Sequence, residues 1–435
     1  MKVKQTHGMG NHLILDAEGC PEGALDDEAV VKAFLQSVPG LVGGTAISDV
    51  VIKRHVAKDP DESGVTGFIL LAESHSSIHT FPSKGSFHFD LFTHDEFDVD
   101  KVIRKVEETF APETMMKKLV PRSYTDVVPV DDLLKVSGDG IFAENNVVSL
   151  VRRMETVGFQ ATQLAKAAKV IEKMRGDKSV VFLAFTSNLI SSGLREVIAD
   201  VVKRKLVHVI VTTAGAIEED FMKAFSPFLL GDFDVSDVQL HKAGINRIGN
   251  VFVPNDRYET LEEKIKPVLE AAHKEQPATA LSPSGLAKRM GQSIKDEKSF
   301  LYWAAKNSIP VFCPAITDGA LGLQLYFYKK DHKDFSLDVT ADMDDLAQII
   351  FGAKKAGAVI LGGGAAKHHT IGMNIVRGGL NYAVYVSTGT EYDGSVSGAR
   401  PKEAKSWGKL REDANHAFVE CDATIAFPLL VKFMG

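Results

Sequence analysis

At 435 residues the chain is too long for one ordinary hydrophobic core, so length alone implies two or three domains. A hydrophobic content of 45% and a charged content of 25% are those of a folded globular protein, and a net charge of −7 without a long basic run argues against a nucleic-acid partner. Cys20, Cys313 and Cys421 are too scattered for a disulfide framework or a zinc site, no run of about 18 apolar residues suggests a membrane span, and the first residues lack the apolar core of a signal peptide; the reading is a cytoplasmic chain without a metal site.

Residues 12–16 read as a short strand, and residues 27–36 as a helix opened by acidic side chains. Residues 45–54, 67–72 and 87–93 are apolar, β-rich runs, and 101–109 a charged closing helix. This predicts a small α+β module over 1–110 with mostly antiparallel connections. Residues 111–124, with two prolines and no periodicity, read as a linker. Between two of the strands lies Glu-Ser-His-Ser-Ser-Ile-His-Thr-Phe-Pro at 73–82. By itself this is a polar turn.

The stretches Gly-Asn-His-Leu-Ile-Leu-Asp-Ala-Glu-Gly-Cys at 10–20, Glu-Ser-His-Ser-Ser-Ile-His-Thr at 73–80 and Asp-Leu-Phe-Thr at 90–93 give that turn another meaning. They resemble the prokaryotic S-adenosylmethionine decarboxylase family over roughly residues 8–110. The resemblance implies self-cleavage between Glu73 and Ser74, which turns Ser74 into a pyruvoyl group, with His79 and Thr66 assisting. It also implies decarboxylation, since a ketone beside a carbonyl is an electron sink for a bound amino acid. Phe81 matches a substrate-pocket aromatic. His94 stands where the family has a proton-donating cysteine, and Ser83 where it has a carboxylate. Histidine still donates a proton near neutral pH, so the substrate is expected to be S-adenosylmethionine or another amino acid such as ornithine or arginine.

Residues 146–174 repeat apolar positions at helical spacing: Val147, Leu150, Val151, Met154. Beyond them strands (179–186, 206–213, 309–316, 358–361, 382–387) alternate with helices (192–205, 218–225, 346–355). That pattern predicts a Rossmann-like, doubly wound parallel sheet over 125–435, with ligands at the carboxyl ends of its strands. The best-marked stretch follows one such strand: Gly362-Gly363-Gly364, then Lys367-His368-His369, with Ser-Trp-Gly-Lys at 406–409. Glycines admit a phosphate, His368 offers a base and Lys409 a nucleophile. The combination suggests redox chemistry coupled to an imine. Singly, Trp407 would be core, Lys367 a surface charge, His369 a structural neighbour, and 218–220 a solvated acidic helix start.

Thr-Ser-Asn-Leu at 186–189, Thr-Thr-Ala-Gly-Ala-Ile-Glu-Glu-Asp at 212–220, Asn-Arg-Ile-Gly-Asn at 246–250, Pro-Ala-Ile-Thr-Asp-Gly at 314–319, the glycine stretch and Ser-Trp-Gly-Lys closely resemble, in this order, the deoxyhypusine synthase family. That family includes homospermidine synthases, uses NAD and is usually tetrameric. The resemblance implies that Asn188, Thr213, Glu219, Asp318, Gly362, Gly363, Gly364, Thr388, Asp393 and Asp422 contact NAD. It makes Lys409 the imine-forming lysine, kept neutral by burial near Trp407, and His368 the base beside the oxidised amine. Trp407 and Glu403 then line the polyamine pocket. Two family aspartates are Leu323 and Val396 here, and a family asparagine is Gly372. Carboxylates hold protonated amines, so the amine accepted is expected to change. The expectation is a bifunctional polyamine enzyme, a homo-oligomer (tetramer) acting on amino acids and polyamines: ornithine or arginine decarboxylation feeding homospermidine synthesis. The alternatives are S-adenosylmethionine decarboxylation joined to deoxyhypusine formation on a protein lysine, or one domain reduced to a regulatory or scaffolding role.

Overall fold

The computed structural model of the chain describes residues 10–95, 97–122, 134–276 and 281–435. It divides into two compact units, Met1–Leu133 and Leu134–Gly435. No helix among the described residues is long and apolar enough to cross a membrane.

The first unit is one antiparallel sheet of β1 (Gly10–Glu18), β2 (Val51–His55), β3 (Gly64–Leu71), β4 (Ser74–Phe81), β5 (Ser86–Thr93) and β6 (Thr114–Arg122). Its spatial order is β2-β3-β4-β5-β1-β6. Two helices, Glu28–Val42 and Val99–Phe110, cover one face; Phe34 meets Phe89 and Phe110 edge-on at 5.2 and 5.1 Å. Three expectations change. Residues 45–54 form a strand only from Val51 onward. The run 73–82 is not a turn: its alternation of Ser76, Ile78 and Thr80 inward makes it strand β4, and only positions 72 and 73 turn. The stretch 111–124 carries β6, which pairs with β1 from Gly10 to Glu18; positions 123 and 124 lie outside the described residues, as does the expected domain start at 125. Pro121 disguises this strand, and an edge strand is where proline is tolerated.

The second unit is the expected parallel sheet: β7 (Val180–Phe185), β8 (Val209–Val211), β12 (Val311–Phe312), β13 (Ala356–Leu361), β14 (Leu380–Val386) and β15 (Leu410–Val419), in the order β12-β8-β7-β13-β14-β15. Alternate residues of β7 serve two cores, Leu183 and Phe185 on one face and Phe182 and Ala184 on the other. Helices on both faces explain why these strands read as unbroken apolar runs. A three-stranded antiparallel sheet of β9 (Leu229–Leu230), β10 (Ile245–Ile248) and β11 (Val251–Pro254) is an addition the periodicity did not reveal. The single helix expected over 146–174 is broken into Val147–Arg153 and Phe159–Gly176, because Gly158 between them takes φ +98°.

Candidate active sites

In the first unit Ser74 opens β4 directly after the turn. Glu73 holds φ +63°, a left-handed conformation that costs a non-glycine residue about 1–2 kcal/mol, so strain sits on the residue whose carbonyl would be attacked. The Ser74 hydroxyl oxygen accepts from the His94 backbone N–H at 3.2 Å, which brings the serine and His94 together. These features fit a chain able to generate a pyruvoyl group at position 74. Thr66 and His79 also pair, Thr66 Oγ1 to His79 Nδ1 at 3.0 Å, directly across β3 and β4. The two pairs are separate. His79 is five residues beyond Ser74, about 17 Å along an extended strand, and by alternation lies on the sheet's other face, where it is exposed. Phe81, on that same face, packs edge-on to His88 at 5.4 Å. Ser83 donates to Asp61 at 2.9 Å instead of presenting a carboxylate.

In the second unit the loops after β7, β8, β12, β13, β14 and β15 all emerge at the carboxyl edge of the sheet and carry the expected cofactor residues. At the switch point between β7 and β13, Gly362 (φ +88°) crosses so close to Thr186 that a Cβ would lie 2.7 Å from its hydroxyl. A Cβ on Gly363 would lie 2.4 Å from the Ser397 Cα. Gly364 (φ +60°) starts the helix Gly364–Met373, faces open space and donates its N–H to Ser397 Oγ at 3.1 Å. Asn188 and Asp318 are exposed beside this edge, with Thr186 donating to Asn188 Oδ1 at 2.5 Å. Thr388 is exposed past β14. Asp393 accepts the Ser395 N–H at 2.7 Å, which lowers its carboxyl pKa, and Asp422 caps the helix Ala423–Leu430. The Thr213 hydroxyl is buried without a partner among the described residues. An open glycine cradle at a helix start and an orphaned hydroxyl after β8, two strands along the same edge, fit a phosphate-bearing dinucleotide such as NAD.

Glu219 is buried, receives the Ser191 hydroxyl at 2.5 Å, and is pushed up to about 8 by desolvation. Its neighbours serve the scaffold. Glu218 accepts the Leu321 N–H at 2.6 Å, and Asp220 is locked to Arg195 at 2.7 Å and Ser299 at 2.6 Å. Taken singly these three residues read as a solvated acidic helix start, but the helix begins earlier, at Ala214, and all three are buried within it.

One pocket gathers Glu403, Trp407 and Lys409 with Val396, Tyr385 and Lys367. Lys409 Nζ sits 5.0 Å from the Trp407 ring centroid. Trp407 is 64% exposed, so within this chain it flanks the lysine rather than burying it as expected. The buried lysine among the described residues is Lys367, 0% exposed, although taken singly it reads as a surface charge. It donates to Ala399 O at 2.7 Å and Ser397 O at 3.5 Å, lies 4.5 Å from the Tyr385 ring, and is lowered by burial to about 8 despite Glu403 nearby. His368 is exposed on the same helix, while His369 is half-buried and its pKa lowered by burial. Leu323, 57% exposed on the helix Ala320–Asp331, does not line the pocket, and Gly372 has open space around it.

Comparison with known proteins agrees with both halves. The family model described as S-adenosylmethionine decarboxylase matches residues 11–123, and that described as deoxyhypusine synthase matches residues 149–434. The probable deoxyhypusine synthase of Pyrococcus abyssi is 45% identical over 316 residues, covering 68% of this chain and 93% of its own. That of Methanocaldococcus jannaschii is 47% identical over 291 residues (63% and 88%), and the deoxyhypusine synthase of Candida glabrata is 42% identical over 352 residues (70% and 91%).

Proposed function

The chain belongs to the deoxyhypusine synthase family, with a decarboxylase-like unit in front, and from that premise we propose a two-activity enzyme of polyamine synthesis. Its second unit transfers an aminobutyl group between amines through an imine on Lys409. Its first unit cuts itself between Glu73 and Ser74 and decarboxylates an amino acid that supplies the amine. The observation that carries this reading is the pocket in which Lys409, Trp407 and Glu403 meet beside the helix leaving the glycine loop.

Bound NAD supplies the acceptor, and later the donor, of a hydride at the carbon next to the amine nitrogen. Gly362, Gly363 and Gly364 would hold its phosphates, with Thr213, Asn188, Asp318, Thr388, Asp393 and Asp422 along the same edge. His368 takes the proton from the amine as it is oxidised. Glu403 and the face of Trp407 attract the cationic end of the amine. The Lys409 amine then attacks the oxidised carbon, the original nitrogen leaves, and an acceptor amine displaces Lys409 before reduction completes the new secondary amine. In the first unit the pyruvoyl group supplies the electron sink, and His94, held beside Ser74, returns a proton to the decarboxylated carbon.

Val396 lines the lysine pocket where the family has an aspartate, removing one anchor for a cationic nitrogen. This favours a short diamine as donor and a small amine as acceptor, a homospermidine synthase-like reaction fed by ornithine decarboxylation. The second reading is transfer from spermidine to a protein lysine after S-adenosylmethionine decarboxylation, and the 42–47% identity to deoxyhypusine synthases favours it. Incubating the protein with NAD and either ornithine, arginine or S-adenosylmethionine, with and without putrescine and spermidine, and weighing the amines separates them. Homospermidine from putrescine supports the first. Decarboxylated S-adenosylmethionine without homospermidine, together with a spermidine-derived adduct on an acceptor protein added to the mixture, replaces it with the second.

A further inference from the structure

The segment 395–400 touches both halves of the second site. Toward the glycine loop, Ser397 Oγ accepts the Gly364 N–H at 3.1 Å, its Cα closes on Gly363, and its carbonyl accepts the Ser387 hydroxyl at 3.2 Å. Toward the lysine pocket, the same segment presents Val396, Ala399 and Arg400 to the space shared with Lys409. One side chain fastens it from beneath: Lys367, wholly buried on the helix that begins at Gly364, reaching the carbonyls of Ser397 and Ala399. A buried ammonium is costly unless its N–H groups are satisfied, so it holds the Ala399 carbonyl firmly at 2.7 Å and reaches that of Ser397 more loosely at 3.5 Å. The segment is also tight against itself, since a Cβ on Gly398 would lie 1.6 Å from Thr390 O.

We propose that Lys367 is the positioning residue that couples the glycine cradle to the Lys409 pocket, by pinning segment 395–400 so that dinucleotide and amine are aligned together. This rests on the function proposed above. Its consequence is that loosening Lys367 disturbs two sites at once: the Gly364–Ser397 contact relaxes, and Val396 and Arg400 drift from Lys409. Lys367→Met keeps the length and apolar stem and removes only the donor, leaving a core of similar volume.

The test uses the full-length protein and four forms: wild type, Lys367→Met, Ser397→Ala and the double variant. NAD affinity is read by equilibrium dialysis, and the fraction of Lys409 trapped by borohydride is read by peptide mass at saturating NAD and putrescine or spermidine. Each single variant is expected to weaken NAD binding by about tenfold and to lower trapping, and the double variant to be no worse than the poorer single one, with unchanged melting temperature. Wild-type affinity in Lys367→Met, or losses that multiply in the double variant, overturns the coupling. If Lys367→Met does not fold, Ser397→Ala decides: NAD affinity lowered with Lys409 trapping unchanged also overturns it. Wild-type protein that binds no NAD withdraws the proposed function itself, a result distinct from the other two.

Discussion

Burial raises the Glu219 carboxyl from the usual 4.5 to about 8, with the Ser191 hydroxyl only partly offsetting the lost hydration. Because the folded value lies above the unfolded one, folding takes up a proton. The stability linked to this group is complete below about pH 4.5 and lost as the pH rises through 8, at up to about 1.4 kcal/mol per pH unit. Glu219→Gln should remove that dependence, so its urea midpoint relative to wild type rises progressively from pH 5 to 8; parallel curves would show that Glu219 is not the group responsible. Lys409→Ala should leave NAD binding within about twofold, because the lysine lies outside the glycine cradle, and abolish amine transfer, checked by dialysis and amine mass. Single residues also show where sequence reading fails. The spacing of Trp407 and Lys409 was legible, but the anchoring role of Lys367 was not: taken singly it reads as a surface charge, because its partners are carbonyls some thirty residues away, and a carbonyl leaves no mark on side-chain pattern.

At the scale of elements the glycine loop makes a graded prediction. Gly363→Ala forces a Cβ against backbone and should cost more than about tenfold in NAD affinity, whereas Gly364→Ala meets open space and carries only the left-handed penalty of about 1 kcal/mol. Equal losses would mean that backbone strain alone governs the loop. Val396→Asp should restore a carboxylate to the pocket and lower the KM for spermidine more than that for putrescine; no change in the ratio of the two would remove Val396 from the account of specificity. The parallel strands were legible as apolar runs, and so was the carboxyl edge that holds the cofactor motifs. Strand β4 was not, because Ser74, Ser76 and Ser77 hide its alternation, and neither was β6, because Pro121 and two lysines blunt its pattern. The helix break at Gly158 was missed because apolar spacing continues on both sides.

At the scale of the whole molecule, one chain joins an S-adenosylmethionine decarboxylase-like unit to a deoxyhypusine synthase-family unit, a pairing that fits a polyamine-related fusion. The activity proposed for the first unit requires cleavage, and Ser74→Ala should keep the chain whole on a denaturing gel while wild type yields a piece ending at Glu73; an intact wild-type chain under all conditions would leave the pyruvoyl proposal without support. The central claim is imine transfer through Lys409, and borohydride trapping followed by peptide mass tests it most directly. With NAD and putrescine or spermidine present, an aminobutyl adduct should appear on Lys409 and vanish when NAD or the amine is left out. An unmodified Lys409 with every amine, or an adduct that forms equally without NAD, would contradict it.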